Sequence, residues 1–199
     1  MANALQTALN RFTKDLEQAA ELRQRIEDAK LKKFQNDLAF ELAFLRSVIA
    51  WETFLEQAFF LFATGRPSLS GGPVGQLMRP KNRLAAEELV LGGRTFASWT
   101  SADVHDRASR WFADAGPFAI LKSESRLAEI HTVRNRIAHG TGSAQSRFAK
   151  LCAQKHPPNI RKGMGPGRFL SHPFSKSVTE SRFRRYQGVL LGTAKIICG

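Results

Sequence analysis

The sequence predicts an all-α protein built as a bundle of five to seven helices. Two observations support this fold class: apolar residues recur at helical spacing along most of the chain, and no segment shows the alternating pattern of a β-strand. A third is the composition, since the 199 residues are 43% hydrophobic and include 15 Phe and 3 Trp, which suffices for a sizeable core. We therefore expect one domain over residues 1–199.

The N-terminal third predicts two long helices. An amphipathic pattern extends from Ala4 to Phe34, with charged residues on the opposite face. Asn36 or Asp37 is the expected N-cap of a second helix, which continues to about Ala63. Two long helices joined by a short connection are expected to pack antiparallel.

Further helices are expected in the rest of the chain, separated by Gly, Pro and Ser. The predicted segments are 81–91, 101–113 with Ser101 as cap, 123–139, 143–154, and 180–197 with Thr179 as cap. Gly92 and Gly140 are the expected stop residues of the first and third of these. Residues 156–174, which are basic and rich in Pro and Gly, predict a loop.

The basic charge is concentrated in the C-terminal third. The chain has 30 Lys and Arg against 17 Asp and Glu, a net charge of +13. Residues 1–129 are nearly neutral, whereas residues 130–199 contain 13 basic residues and a single acid, Glu180. A surface of this kind attracts polyanions such as RNA in a salt-sensitive way. The alternative is a charged surface that only favours solubility.

Several classes of protein are not expected. Cys152 and Cys198 lack the spacing of metal ligands or of a disulfide framework, so we expect reduced thiols and no metal or cofactor. The longest apolar stretch, residues 58–63, is far shorter than the ~18 residues of a membrane span. No secretory leader pattern precedes the first helix. We expect a cytoplasmic protein without membrane contact.

The predicted helix at 123–139 carries polar residues beside its apolar stripe. A turn of about 100° per residue puts Arg134 inside the apolar arc and Arg136 on the open side. His131, Asn135 and His139, at i, i+4 and i+8, form a row next to that arc. A guanidinium on an apolar stripe needs a partner.

The second helix has acids where apolar residues are expected. Glu41, Glu52 and Glu56 fall within its apolar arc. The apolar residues that flank them are Leu42, Leu45 and Ile49 on one side and Phe44, Trp51, Leu55 and Phe62 on the other. Either Glu52 or Glu56 is a candidate partner for Arg134. One interpretation is a buried ion pair that only fixes helix register, and the other is a polar pocket at the edge of the core.

The most specific pattern is Arg134-Asn135, three further residues, then His139, followed by a glycine. This pattern resembles that of the HEPN superfamily, small all-α domains whose ribonuclease members carry such a motif near a helix end. Trp51, Glu52 and Glu56 are also similar to the aromatic and acidic helix of bacterial members. The resemblance covers a core at about residues 37–139, with residues 140–199 as a basic C-terminal extension.

The resemblance implies a metal-independent endoribonuclease that acts as a homodimer with a composite active site. It implies that Arg134 and His139 are catalytic, and that the protein serves as a toxin or phage-defence effector, with an antitoxin or sensor protein as a possible partner. A histidine suits proton transfer from the ribose 2′-OH, and a fixed arginine suits charge building on the phosphate. The expected products carry 2′,3′-cyclic phosphate and 5′-OH ends.

Other residues receive supporting roles. Asn135 is expected to orient His139 or hold a phosphate oxygen, Glu52 or Glu56 to position Arg134, and His131 to support the site. The expected RNA contacts are Arg136, Arg161, Lys162, Arg168, Arg182, Arg184 and Arg185, with Phe183 and Tyr186 near enough to stack on bases. For Phe183, a position in the core is the stronger expectation.

Two other functions remain open at this point. The first is a non-catalytic HEPN-like module that binds RNA or a protein through the basic C-terminal third. The second is a purely structural helical scaffold, in which Arg134 contributes only to stability.

Overall fold

Nine α-helices and one short 3₁₀ helix form the part of the chain described by a computed structural model, which covers residues 3–29, 32–154, 164–174, 177 and 179–199. The helices are α1 (Ala4–Asp28), α2 (Lys33–Ala63), α3 (Arg83–Leu91), α4 (Ser101–Trp111), α5 (Ile120–Ser123), α6 (Ser125–Ala138), α7 (Gly142–Gln154), α8 (Pro166–Ser171) and α9 (Arg182–Cys198), with the 3₁₀ helix at Ala113–Phe118. These residues contain no strand, only two isolated bridges. The predicted all-α class is confirmed.

The chain divides into two compact units. The first comprises Met1–Thr13, Ala50–Ser125 and Leu191–Gly199, and the second comprises Lys14–Ile49 and Arg126–Leu190. Helices α1, α2 and α9 contribute residues to both. Neither unit coincides with the predicted core at 37–139, because each includes segments before and after it. The single domain over 1–199 stays a prediction.

Aromatic side chains fill the core of the first unit. The ring of Phe12 lies 5.7 Å from that of Trp51 and 5.2 Å from that of Phe54, measured between centroids. Phe59 contacts five further rings, those of Phe60, Trp99, Trp111, Phe112 and Phe118. Each of these aromatic pairs contributes stabilisation beyond that from burial of its apolar surface. The many Phe residues thus serve the core, as the composition suggests.

In the second unit, α1 packs against α2. Arg46 donates to Gln18 at 3.3 Å, and the guanidinium of Arg23 lies 5.6 Å from the ring of Phe40. These contacts join later residues of α1 to earlier residues of α2, so the predicted antiparallel packing is confirmed. On its other side, Phe40 packs against Phe183 of α9 at 5.9 Å.

Helix ends differ from the predicted caps at three places. Asn36 is not a cap, because its amide already donates to Lys32 O within the first turn of α2. Thr100 rather than Ser101 caps α4, accepting from the amide of Asp103. The predicted cap Thr179 lies outside α9, which begins at Arg182.

The predicted end of α3 is confirmed, because Gly92 follows the helix with a φ of 52°, in the left-handed region that glycine favours. Asn82, which was not predicted as a cap, caps its start by accepting from the amide of Ala85. The bounds of α6 and α7 agree with the predicted segments to within about two residues at each end. These bounds place Arg134 and Asn135 near the C-terminal end of α6, as the sequence predicts.

The segment after α4 contains an unpredicted turn. The helix expected to reach Ala113 stops at Trp111, and Asp114, Ala115 and Gly116 all adopt positive φ values. Gly116 is needed there, because a Cβ would lie 3.0 Å from the Cβ of Phe112. The turn lets Phe112 and Phe118 pack together, with ring centroids 5.9 Å apart.

A buried helix lies within the predicted basic loop. Residues 156–163 lie outside the described residues, but Pro166–Ser171 forms α8. A Cβ on Gly167 would lie 2.0 Å from the carbonyl oxygen of Asp37, so only glycine permits this approach. The amide of Gly167 donates to Glu41 at 2.9 Å, which accounts for an acid within the apolar arc of α2.

Part of the predicted apolar arc of α2 is open. Leu42 and Ile49 are 54% and 61% exposed, contrary to the expectation that they lie in the core, and Leu38 on the same helix is 43% exposed. Separately, no described helix is both long enough and apolar enough to cross a membrane.

A buried tyrosine–carboxylate contact joins α9 to α6. The hydroxyl of Tyr186 donates to Glu129 at 3.0 Å, and both side chains are buried. Burial and the Glu129 carboxylate raise the pKa of Tyr186, so the hydroxyl keeps its proton and remains a donor. Glu129 lies five residues before Arg134 on the same helix, so this contact helps to fix α6.

We expect Tyr186→Phe to lower the free energy of unfolding by about 1–3 kcal/mol, because it removes a donor from a buried carboxylate. Urea unfolding measures the change. The control is Arg184→Ala, an exposed residue on the same helix, whose free energy of unfolding should stay within about 0.5 kcal/mol of the wild-type value. Equal stability of Tyr186→Phe and the wild-type protein would show that the hydrogen bond contributes nothing.

Candidate active site

The candidate site lies at the C-terminal end of α6. Leu127, Ile130 and Val133 are buried and hold one face of the helix in the core. The amide of His139 donates to Asn135 O at 2.9 Å, so the last helical hydrogen bond positions His139 directly after Ala138. The end of the helix is therefore rigid where the polar row reaches solvent.

Arg134, Asn135, His131 and His139 form one connected cluster. Nη1 of Arg134 donates to Asn135 Oδ1 at 3.3 Å and lies 3.4 Å from His139 Nε2. Asn135 Nδ2 lies 2.8 Å from His131 Nε2. The sequence prediction that these four residues lie together is confirmed.

The donor groups of the cluster limit how its members can bond. A guanidinium only donates, so Asn135 turns its carbonyl oxygen towards Arg134 and its amide towards His131, whose Nε2 accepts in that contact. The contact of Arg134 Nη1 with His139 Nε2 is a hydrogen bond only in the tautomer whose Nε2 is an acceptor. That tautomer is the one in which His139 can act as a base.

The site combines a supported arginine with accessible histidines. His131 and His139 are exposed, whereas Arg134 and Asn135 are half-buried. Arg136, expected on the open side of α6, is also half-buried, and Ala138, expected in the core, is exposed. The helix ends there, so the apolar stripe no longer faces a partner.

A cleft of about 140 Å³ opens beside the cluster, between the end of α6 and the start of α7. Its lining includes His131, Asn135, His139, Thr141, Ser143 and Arg147. Sequence reasoning missed the last three. The sequence signal for these three residues is that Thr141 and Ser143 directly follow Gly140, the expected stop residue of α6, and that Arg147 lies about one turn into α7. The volume is large enough for a phosphate group.

The acids expected to pair with Arg134 belong to the first unit. Burial raises the pKa of Glu56, while nearby Arg83 and Arg107 act to lower it. Glu52 is half-buried on the same helix. An ion pair of Arg134 with either acid stays a prediction.

The expected RNA contacts on α9 separate into two groups. Arg184 and Arg185 are exposed, as expected. The expectation for Arg182 is wrong, because this residue is only 1% exposed and its guanidinium lies 4.6 Å from the ring of Phe169. Tyr186 is buried and cannot stack on a base. Phe183 is buried too, which confirms its place in the core.

A helical projection of α9 explains why Arg182 and Tyr186 are buried. Arg182, Tyr186 and Leu190 are spaced by four residues, so they share one face with the apolar core. Arg168, on α8, is half-buried. Arg161 and Lys162 lie outside the described residues.

The cluster consists of residue types suited to proton transfer and anion binding. In the described part of the chain, no group of three His, Cys, Asp or Glu side chains is arranged to hold a metal ion. Cys152 and Cys198 are free, and burial raises their pKa to about 11 and about 12, so both remain thiols.

Fold and site together define an all-α protein with an Arg–Asn–His cluster at a helix end. Comparisons with protein-family models, with curated proteins and with solved structures gave no match to this chain.

Proposed function

We propose that this protein is a metal-independent endoribonuclease of the HEPN type. The observation that carries the proposal is the contact of Arg134 Nη1 with both Asn135 and His139 beside an open cleft. A cation and an imidazole nitrogen at one point are the two groups that transfer of a phosphodiester to a neighbouring hydroxyl requires.

Each side chain has a defined role in the proposed reaction. His139 Nε2 takes the proton of the ribose 2′-OH, whose oxygen then forms a bond to phosphorus. Arg134 stabilises the negative charge on the phosphoryl oxygens, and Asn135 holds Arg134 in place. The bond from phosphorus to the 5′-oxygen breaks, and that oxygen takes a proton from water, while His139 returns the proton of the 2′-OH to solvent. The products are a 2′,3′-cyclic phosphate and a 5′-OH.

The second protomer is part of the proposal. The open apolar side chains of α2, at Leu38, Leu42 and Ile49, lie in the same unit as the cluster and favour association of two copies. Association through a two-fold axis would present the same face of each copy to the other. A homodimer would bring two copies of Arg134 and His139 to a composite site.

RNA is the proposed substrate because charge and chemistry agree. The net charge of +13 and the exposed Arg184 and Arg185 favour a polyanion, and only RNA supplies the 2′-OH nucleophile. We place such an activity in the cytoplasm, as a toxin or phage-defence effector under the control of an antitoxin or sensor protein.

Incubation of the purified protein with total RNA in EDTA tests the proposal. We expect cleavage that chelation does not change, because no step uses a metal ion. EDTA-sensitive cleavage would contradict the mechanism. Salt-sensitive binding of RNA without cleavage would instead favour the non-catalytic binding module, which the exposed basic residues of α9 also suit.

Arg147 gives a prediction about binding that is separate from catalysis. We expect Arg147→Ala to weaken RNA binding and to reduce the slope of log K against log salt by about 1, because one phosphate contact is lost. Fluorescence anisotropy in a His139→Ala background measures binding without cleavage. Lys150→Ala, exposed on the same helix and outside the cleft lining, is the matched control. Equal losses in both variants would remove Arg147 from the site.

A further inference from the structure

The first unit contains a second cleft, distinct from the candidate active site. It has a volume of about 450 Å³ and is lined by residues from the end of α3, the following loop and α4. Three arginines, Arg94, Arg107 and Arg110, contribute to its wall, together with the apolar Leu89 and Trp111. None of these residues takes part in the proposed cleavage reaction.

Two of the arginines are held in place by the fold. Arg94 donates from Nε to Leu91 O at 3.1 Å and from Nη2 to Val90 O at 3.3 Å, so it closes the C-terminal end of α3. Arg107 is 7% exposed, and its guanidinium lies 4.4 Å from the ring of Trp99. Rigid cations lose little conformational entropy when an anion binds.

Donors in this group remain unused within the described part of the chain. Arg107 donates from Nη2 to Ser98 O at 3.1 Å, but its buried Nη1 has no hydrogen-bond partner there. Arg110 is exposed and forms no hydrogen bond or ion pair with a described residue. A buried donor without a partner is costly, so the arrangement favours a ligand or solvent that accepts from it.

The charges around the cleft do not balance. Asp103 and Asp106 also line it, against three arginines. The carboxylate of Asp103 accepts from the hydroxyls of Ser98 and Thr100, and Asp106 lies 3.6 Å from His105 Nδ1. Hydrogen bonds to hydroxyls leave the negative charge of Asp103 in place, so the lining carries three positive and two negative charges, an excess of one positive charge.

Like charges act on one another at this site. Burial lowers the pKa of Arg107, Asp103 and Glu56 oppose that shift, and the positive charges of Arg110 and Arg94 lower the pKa further. Repulsion among neighbouring cations is relieved when an anion lies between them. The three arginines therefore favour binding of an anion.

We propose that this cleft binds the phosphate group of a small molecule of about mononucleotide size. Arg110 and Arg94 supply accessible charge for the phosphate, and Arg107 supplies a fixed cation behind them. A volume of about 450 Å³ lies in the usual range for small-molecule sites, and the exposed apolar side chain of Leu89 lines the same cleft. The proposal is independent of the ribonuclease activity.

Thermal unfolding of the full chain tests the site with three probes at matched ionic strength. These are adenosine 5′-monophosphate, inorganic phosphate and uncharged adenosine, each compared with chloride. We expect the monophosphate to raise Tm most, phosphate to raise it less, and adenosine to have no effect, because only the first two carry the recognised group. Absence of a shift with both phosphate compounds would overturn the proposal.

Arg110→Ala distinguishes this cleft from general basic charge. The variant is expected to bind adenosine 5′-monophosphate at least ~10-fold more weakly by calorimetry, while its Tm without ligand is no lower than that of the wild type, because a repelling charge is removed. Arg79→Ala, an exposed arginine outside the cleft, is the matched control and should retain binding. Equal affinity in Arg110→Ala and wild type would overturn the assignment. So would binding of an RNA oligonucleotide at Arg110 with no binding of the mononucleotide.

Discussion

Replacing His139 with alanine is expected to reduce the rate of RNA cleavage by about 10²–10⁴-fold, the range that a general base contributes. Nε2 of His139 lies 3.4 Å from Arg134 Nη1 and borders the cleft in which we place the phosphate. Alanine removes the proton acceptor and leaves the cation in place. Single-turnover cleavage of a labelled RNA measures the loss, and RNA binding should change little.

His131→Ala provides the matched control for this prediction. His131 is also an exposed histidine of α6 that lines the same cleft, but it contacts Asn135 rather than Arg134 in the hydrogen bonds described above. We expect a reduction below about 10-fold, since removal of a support group perturbs the geometry without removing the base. Equal rates for His139→Ala and wild type, or a larger loss in His131→Ala, would contradict the assignment of His139.

The second large effect is expected at Arg134. Arg134→Ala should reduce cleavage by about 10²–10³-fold, because the site loses the group that stabilises charge in the transition state. Arg134→Lys should restore little of this rate, since Nη1 makes both contacts and an ammonium lacks the further planar donors with which a guanidinium binds a phosphate. The same single-turnover assay measures both variants.

A neighbouring arginine separates catalysis from general charge. Arg136→Ala removes one positive charge from a half-buried position two residues away, and we expect it to retain most activity. Melting curves of Arg134→Ala complete the comparison. A sharp loss of Tm in that variant, with cleavage unchanged in the fraction that remains folded, would support the structural scaffold instead.

Much of the site was predictable because it depends on local periodicity. The helix of residues 125–138 and the glycine after it are encoded within a short stretch, so Arg134, Asn135 and His139 could be placed on one helix end. Their direct contacts follow from spacings of one, four and five residues. Such relations need no knowledge of tertiary structure.

What could not be predicted depends on contacts between distant segments. Arg182 and Tyr186 looked like part of a basic surface track, but Tyr186 packs near Phe44 and bonds to Glu129, 57 residues away. Charge alone does not show which face of a helix becomes buried. The same holds for Glu41, whose partner is the amide of Gly167, 126 residues later.

The open side chains of α2 illustrate a different limit. Leu42 and Ile49 have the spacing of core residues, yet they are exposed in the single chain. An apolar stripe indicates that a face tends to be buried, but it does not indicate whether the chain itself or another copy covers it. The homodimer remains the proposal that accounts for them.

The most direct test of the account is the chemistry of the cut ends. We would take an RNA oligonucleotide that the protein cuts in EDTA and compare it with the same oligonucleotide carrying a single 2′-deoxyribose at the cut site, reading the products by mass spectrometry. The account predicts a 2′,3′-cyclic phosphate and a 5′-OH from the first, and no cleavage at the modified position of the second. Cleavage of the modified oligonucleotide, or products with 3′-OH and 5′-phosphate ends, would contradict attack by the 2′-OH and with it the proposed roles of His139 and Arg134.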